Sequence, residues 1–323
     1  MRNRESDDFL HFLHILFEGN HGALMERIRE NEPLSKWTSM KVGGPAAFFV
    51  EPETPKEAAV FYTAAIRANI PVFVLGNGTN VVISDEGIDG LMIRMGKSLS
   101  KMWLEEKDGV FLVHSYAGAL LSDLANFCAD NELTGMEFAS GIPGTVGGAV
   151  LMNAGAYGPQ MSDVVYQSTA VEATGDWITL SNAEHEYGYR SSVYTRKDDC
   201  LLLFASFLLK KGNEKEIREK MKELNEKRAK SQPLTMPSAG SMFKRPEGYF
   251  AGTLIQDAGL KGVSVGDAQV SEKHAGFIVN KGSATARDVA SLVKKVQNEV
   301  LNTFGVRLET EPKFIGEFDV EEK

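Results

Sequence analysis

Gly141-Ile142-Pro143-Gly144-Thr145-Val146-Gly147-Gly148-Ala149, continued by Met152-Asn153-Ala154-Gly155-Ala156-Tyr157-Gly158, sets the architecture of this chain. Residues 139–158 carry many backbone N–H donors, almost no bulk and no charged side chain. Glycine permits positive φ and lets a backbone approach a ligand with no side chain in the way. Such a run suits an extended anion, for example a dinucleotide diphosphate, met by amide dipoles rather than by cations. Taken alone, it also suits the tight packing of a glycine-rich crossover.

A second cluster, Gly76-Asn77-Gly78-Thr79-Asn80, lies between two apolar runs. Those runs read as strands, a short buried Val72–Leu75 and then Val81–Ile83. A Rossmann fingerprint is excluded, because GNGTNV lacks the third glycine of GxGxxG and is followed by a strand rather than a helix. A phosphate-binding P-loop is excluded because no Gly-Lys-Ser/Thr follows. Asn77-Gly78-Thr79 matches a glycosylation sequon, a chance match without a secretion signal.

The rest of the composition bounds the class. The chain has 323 residues, with 35 Lys+Arg against 44 Asp+Glu and a formal net charge of −9. That length suits two or three domains. An acidic balance argues against a general nucleic-acid binder, which needs a basic face to displace counterions. Cys128 and Cys200 allow one disulfide, and two buried thiols in a reducing compartment is the plainer expectation. The six histidines form no metal-ligand spacing, so no metal is expected. The first 20 residues lack the pattern of a signal peptide, and no apolar run is long enough for a membrane span. A cytoplasmic protein without membrane insertion is the expectation.

Residues 5–30 read as one amphipathic helix. A strand is expected at Ala46–Val50, and a helix opens at Thr54-Pro55, with Thr54 as cap. Short apolar runs alternate with turns from Leu91 to Leu209: Leu91–Ile93, Val110–His114, Ser168–Glu172, Trp177–Leu180 and Leu201–Leu208. They read as a strand-rich α+β region interrupted by a helix, Leu120–Glu132. Lys215–Lys230 reads as a charged helix with i,i+4 Glu–Lys pairs. Two short helical pieces are expected after Pro233–Gly248. A long helix, Thr285–Phe304, ends at Gly305. A strand is expected within Val306–Phe318, before a short acidic tail, Glu321-Glu322-Lys323.

The pair Leu75–Asn80 and Gly141–Gly158 resembles the flavin-binding segments of the UDP-N-acetylenolpyruvoylglucosamine reductase (MurB) family of peptidoglycan synthesis. Thr38–Pro45 resembles the opening motif of that family. The likeness resumes at Tyr189-Arg190-Ser191-Ser192, Pro237–Lys244, Ala268–Ser271 and Leu308–Glu311, so it covers about residues 36–318. It implies an α+β chain. A vanillyl-alcohol-oxidase-like (PCMH-type) FAD-binding fold would occupy two subdomains, 1–82 (joined by the tail 306–323) and 83–211, and an α+β substrate-binding domain 212–305. It also implies noncovalent FAD, NADPH as co-substrate and an enolpyruvyl UDP-sugar as substrate. The FAD contacts carried over are Leu75, Gly76, Asn77, Gly78, Thr79, Asn80, Gly118, Gly141, Pro143, Gly144, Thr145, Gly147, Gly148 and Ala154.

Three further residues have plain readings that the resemblance overrides. Ser241 sits in a Gly-Ser turn and reads as a backbone cap. The likeness makes it the proton donor to a carbanion, which a held neutral hydroxyl can be. Arg190, after Tyr187 and Tyr189, reads as a surface arginine stacked on tyrosine. The likeness makes its fork the grip on a carboxylate. Glu311 alternates with Glu309 on a terminal strand, where both would point the same way. The likeness selects Glu311 to polarise the substrate. Tyr189, Lys230, Arg245 and Gln269 resemble, or adjoin, positions that hold the nucleotide-sugar.

The departures are Thr79 for a usual serine, Arg245 where many members carry Asn, and Pro312 where Val is usual. The short segment Ser191–Cys200 resembles the subgroup lacking an extra substrate-capping loop. Two alternatives frame the expectation. A flavin oxidase of the same fold would turn over with oxygen, but the glycine segments hold no His-Cys tether for covalent flavin. A non-catalytic nucleotide-sugar binder would have no use for Arg190, Ser241 and Glu311 together.

Overall fold

A computed structural model of the chain describes residues 2–17, 21–197 and 199–318. By internal contacts the chain groups into two units. The first comprises 1–30, 48–77 and 89–226, the second 31–47, 78–88 and 227–323. The acidic tail Glu321-Glu322-Lys323 lies outside the described residues.

The first unit is built around a sheet whose central strand is Cys200–Lys211. Its order is Trp177–Ser181, Val165–Glu172, Cys200–Lys211, Val110–Tyr116 and Met102–Lys107, antiparallel throughout, with Leu133–Thr134 added beside Cys200–Lys211. Leu201, Leu203, Ala205 and Phe207 are buried along this strand, and so are Leu202 and Ser206, as suits a strand at the centre of the sheet. Against it pack Leu121–Asp130, which buries Leu121, Leu124, Ala125 and Cys128, and the helix Pro55–Arg67. Thr54 caps the latter, its hydroxyl accepting from Glu57 N at 3.1 Å. Val72–Leu75 pairs in parallel with Ile88–Arg94, in register from Val72↔Leu91 to Leu75↔Arg94.

The second unit has a separate apolar core. Helix Ala286–Phe304 buries Val289, Leu292, Val293, Val296 and Val300. It packs beside a four-stranded sheet in the order Ser238–Ser241, Phe277–Asn280, Ala268–Val270 and Ser264–Val265. Lys313–Ile315 pairs in parallel with Val81–Ile83.

Several expectations need correction. Residues 5–30 are not one helix. Arg2–Leu16 and His21–Met25 are helical, and Arg29 already begins the strand Arg29–Pro33. Residues 18–20, between the two helices, lie outside the described residues. Between Pro233 and Thr285 one helix forms, Ala251–Asp257, in place of two. The strand Val72–Leu75 is not wholly buried, since Val74 is 44% exposed. Neither cysteine is in a disulfide, and while Cys128 is buried, Cys200 is only half-buried. Burial pushes the Cys128 thiol up to about 12, so it stays protonated and inert at neutral pH.

Candidate functional site

In the first unit the two glycine clusters meet although 66 residues separate Asn77 from Pro143. The Asn77 Nδ2 donates to Pro143 O at 2.6 Å. A Cβ on Gly76 would lie 2.3 Å from Thr145 Oγ1, so only glycine fits there. Leu75 is buried behind this contact, and its carbonyl accepts from Met95 N at 2.8 Å. Thr145 caps a short helix, Val146–Leu151, that the glycine content of the sequence conceals. Tertiary packing holds that turn in place. Gly147 N donates to Ala117 O at 2.8 Å, and a Cβ on Gly147 would come within 3.0 Å of Ala117 Cβ. Gly118 is equally constrained, because its Cβ would lie 2.4 Å from Gly96 O.

This surface is small, neutral and rich in unused donors. Among the described residues, the backbone N–H groups of Asn77, Gly144 and Thr145 have no acceptor. Asn77, Pro143 and Gly148 are exposed, and Gly141 and Gly144 half-buried. Amides left unpaired along a strip of mostly small residues fit the diphosphate of a dinucleotide such as FAD, which accepts hydrogen bonds and donates none in their place.

The same segment anchors Arg190. Ala154 N bonds back to Ala149 O at 2.8 Å and turns the chain. Asn153, buried and at φ +45°, then reaches Gly188 O through Nδ2 at 3.0 Å. Gly188 and Ser191 exchange backbone bonds, Gly188 N to Ser191 O at 3.0 Å and Ser191 N to Gly188 O at 3.3 Å. Tyr189 and Arg190 form the tip of that hairpin. The Arg190 guanidinium lies 5.0 Å from the Tyr189 ring centroid and donates to Gly155 O at 3.4 Å. The stacking read from the sequence is therefore present, on a base tied to the glycine segment. Sequence reasoning passed over Asn153, and its only signal was an Asn at the centre of a run of small residues.

In the second unit three other motifs converge. Gly78 is fixed by φ +65° and by Trp37 O, 2.1 Å from where a Cβ would stand. Ser39 N donates to Gly78 O at 2.9 Å, and Ser39 Oγ to Ser238 O at 2.6 Å. Asn80 Nδ2 donates to Glu311 O at 3.4 Å, while Asn80 O accepts from Lys313 N at 3.0 Å. Residues 242–244 run antiparallel to 309–311: Glu311 N bonds Met242 O at 3.0 Å, and Lys244 N bonds Glu309 O at 2.9 Å. Ser241, half-buried, sits one residue before that ladder, at a register shift in its strand, with Oγ donating to Phe243 O at 3.2 Å. Ser241, Glu311 and the segment Gly78-Thr79-Asn80 thus share one framework, which Ser39 helps to hold. The amides of Gly78 and Thr79 also lack an acceptor among the described residues.

Glu309 and Glu311 lie outside the expected terminal strand, which is only Lys313–Ile315, and flank an isolated bridge at Thr310. Glu309 is exposed and paired to Lys244 Nζ at 3.3 Å, whereas Glu311 is half-buried. The nucleotide-sugar candidates are more dispersed. Arg245 lies 4.1 Å over the exposed Phe250 ring. Gln269 Nε2 donates to Gly262 O at 3.0 Å. Lys230, near the end of helix Glu214–Ser231, is exposed, and Lys273 Nζ ties that helix end to the turn after Gln269 by bonding Ala229 O at 2.7 Å. Among the described residues no group of His, Cys, Asp or Glu could hold a metal ion, and no helix is long and apolar enough to cross a membrane.

Comparison with known proteins agrees with this geometry. Residues 46–181 match a family model described as an FAD binding domain. Residues 232–315 match the C-terminal domain model of UDP-N-acetylenolpyruvoylglucosamine reductase. A reductase of that name from Agathobacter rectalis is 48% identical over 297 residues, covering 90% of this chain and 94% of that protein. One from Lachnoclostridium phytofermentans is 47% identical over 303 residues, 94% of this chain and 97% of that protein. The crystal structure of the Thermus caldophilus enzyme superposes with a TM-score of 0.77 at 35% identity, over 90% of this chain and 100% of that one.

Proposed function

The chain belongs to the UDP-N-acetylenolpyruvoylglucosamine reductase family, and on that premise we infer how its own residues divide the work of an FAD-dependent oxidoreductase. The reaction uses NADPH to reduce UDP-N-acetylglucosamine enolpyruvate to UDP-N-acetylmuramate in peptidoglycan precursor synthesis. FAD, held noncovalently, supplies the β-carbon of the enol ether with a hydride that comes from NADPH.

The glycine segments hold the cofactor through Leu75, Gly76, Asn77, Gly78, Thr79, Asn80, Gly118, Gly141, Pro143, Gly144, Thr145, Gly147, Gly148 and Ala154. Arg190 grips the substrate carboxylate, where a planar fork places two donors at once. Negative charge reaching the α-carbon delocalises into that carboxylate, so the same guanidinium stabilises it. Glu311 polarises the enol ether and helps to stabilise the enolic oxygens. Ser241 gives its hydroxyl proton to the α-carbon. Tyr189, Lys230, Arg245 and Gln269 bind the nucleotide-sugar. By function we divide the chain at 82, 211 and 305, and we place it in the cytoplasm, where its nucleotide substrates are made.

One observation carries the assignment of roles. Ser241 stands one residue before the short ladder in which Glu311 N bonds Met242 O, and Asn80 of the glycine motif is bonded to Glu311 O. Ser241→Ala is expected to lower steady-state turnover by about 10²–10⁴-fold, the scale of a lost general acid. Anaerobic flavin bleaching by NADPH in the same variant should stay within about twofold of the parent. Equal loss of both half-reactions in a folded, FAD-loaded variant would remove Ser241 from the role.

A further inference from the structure

The hairpin that presents Tyr189 and Arg190 stands on a buried polar chain to which the reaction assigns no part. His185 closes the turn Ala183–His185 on one arm, and Tyr194 lies in the helical turn Val193–Arg196 on the other. Ser168 belongs to the strand Val165–Glu172 that both arms cover. His185 is 0% and Ser168 1% exposed. His185 Nδ1 lies 2.7 Å from Ser181 O, and Nε2 lies 2.6 Å from Ser168 Oγ. Ser168 Oγ is in turn 2.7 Å from Tyr194 OH. The imidazole also stacks on Tyr187, with centroids 4.9 Å apart and planes 4° from parallel.

Proton counting gives this chain a direction. A carbonyl oxygen only accepts, so His185 Nδ1 carries a proton and donates to Ser181 O. In the neutral ring Nε2 then accepts, and its donor is the Ser168 hydroxyl. Ser168 Oγ accepts in turn from Tyr194. With that direction set, no proton in the chain is left over. A second proton on the ring would reverse the Ser168 hydroxyl toward Tyr194, and the Tyr194 proton would then have no acceptor among these groups. Burial acts the same way, lowering the tendency of His185 to take a proton.

We propose that Tyr194, Ser168 and His185 form a strut that pins both arms of the Gly188–Ser191 hairpin to one strand and thereby positions Arg190. The proposal rests on the reading of Arg190 as the carboxylate grip. Arg190 has φ +53°, a region that costs a residue with a branched or long side chain, and such a conformation persists only where the surroundings over-determine it. Side anchors complete the fixation: Ser192 Oγ donates to Leu151 O at 2.7 Å, and Asn153 Nδ2 reaches Gly188 O. The three residues act through Arg190 and are positioning residues.

The test is a double-mutant cycle on the FAD-loaded enzyme with Ser168→Ala, Arg190→Ala and the pair. Ser168→Ala should lower kcat/KM for the enolpyruvyl UDP-sugar at least about tenfold, with NADPH bleaching of the flavin within twofold. In the Arg190→Ala background the same change should have no further effect, since residues acting through one group are not additive. Amide hydrogen exchange should rise at Gly188 and Ser191 and stay constant at the central strand Cys200–Lys211. If Ser168→Ala does not load FAD, Tyr194→Phe decides on the same measurements. The strut is overturned if the losses multiply in the pair, or if hairpin exchange and kcat/KM do not change. Should Arg190→Ala itself keep full turnover, it is the grip assigned to Arg190 that fails, while the exchange measurement still judges the strut.

Discussion

Gly78 and Arg190 both have positive φ, +65° and +53°, for different reasons. At Gly78 the backbone of Trp37 stands where a Cβ would be, so no side chain fits. Gly78→Ala should lose flavin, read as visible absorbance per mole of protein, and lower Tm by several degrees. An alanine variant with full colour and an unchanged Tm would contradict the role given to that turn. Tyr187 offers the opposite case, because its hydroxyl is buried without a partner among the described residues. Burial, with the neighbouring Tyr194 acting the same way, raises its ionisation well above the usual tyrosine range. Tyr187→Phe should therefore raise stability by about 1 kcal/mol, since an unsatisfied hydroxyl is removed at nearly constant shape. A lower urea midpoint would show that the hydroxyl has a use.

His185 gives a pH signature. Burial depresses its folded-state proton affinity, while the unfolded chain titrates near the ordinary value of about 6.5. Below that pH the unfolded state binds a proton that the folded state refuses. The stabilisation is thus complete above about pH 6.5 and declines as pH falls through it. Urea midpoints from pH 7.5 to 5.5 should fall more steeply for the parent than for His185→Gln. Equal slopes would mean that the ring takes its proton in the fold. Of all this the sequence exposed the glycines and Arg190 as types, since Gly-rich runs and Tyr-Arg are visible in one dimension. The groups that make each residue necessary, the Trp37 backbone against Gly78 and the Ser168 hydroxyl at His185, are far off in the chain and were not legible.

Elements were readable where they are long and periodic. The stripe Leu292, Val296 and Val300 announced a helix at Thr285–Phe304 stopped by Gly305, and in the structure it runs Ala286–Phe304 with Thr285 as its cap. The structure adds a second cap that no local pattern reveals: Asp85 accepts from Ala286 N at 2.8 Å and from Arg287 N at 2.9 Å, across 201 and 202 residues. Asp85→Ala should cost about 1–2 kcal/mol, combining a lost cap with a lost negative charge at a helix N-terminus. An unchanged chemical-denaturation midpoint would show that Thr285 alone suffices. The apolar runs Val72–Leu75 and Val81–Ile83 were readable despite their length, whereas the short, small-residue strands Ser238–Ser241 and Ser264–Val265 escaped, because alternation needs more length to show. Val146–Leu151 escaped because its glycines oppose a helix that tertiary packing enforces.

At the scale of the whole molecule the chain is α+β, with an FAD-binding domain and a distinct C-terminal α+β part. This was legible early because several motifs occur in one order over most of the length, whereas the grouping of residues 31–47 and 78–88 with 227–323 was not. That grouping depends on pairings such as Val81–Ile83 with Lys313–Ile315, and sequence spacing cannot supply them. The most direct measurement is anaerobic spectroscopy of the purified full chain reconstituted with FAD. NADPH should bleach the oxidised flavin bands, and the enolpyruvyl UDP-sugar added afterwards should restore them stoichiometrically, yielding UDP-N-acetylmuramate. A protein that takes up no FAD, or a bleached one that oxygen recolours and the enolpyruvyl UDP-sugar does not, would contradict the assignment.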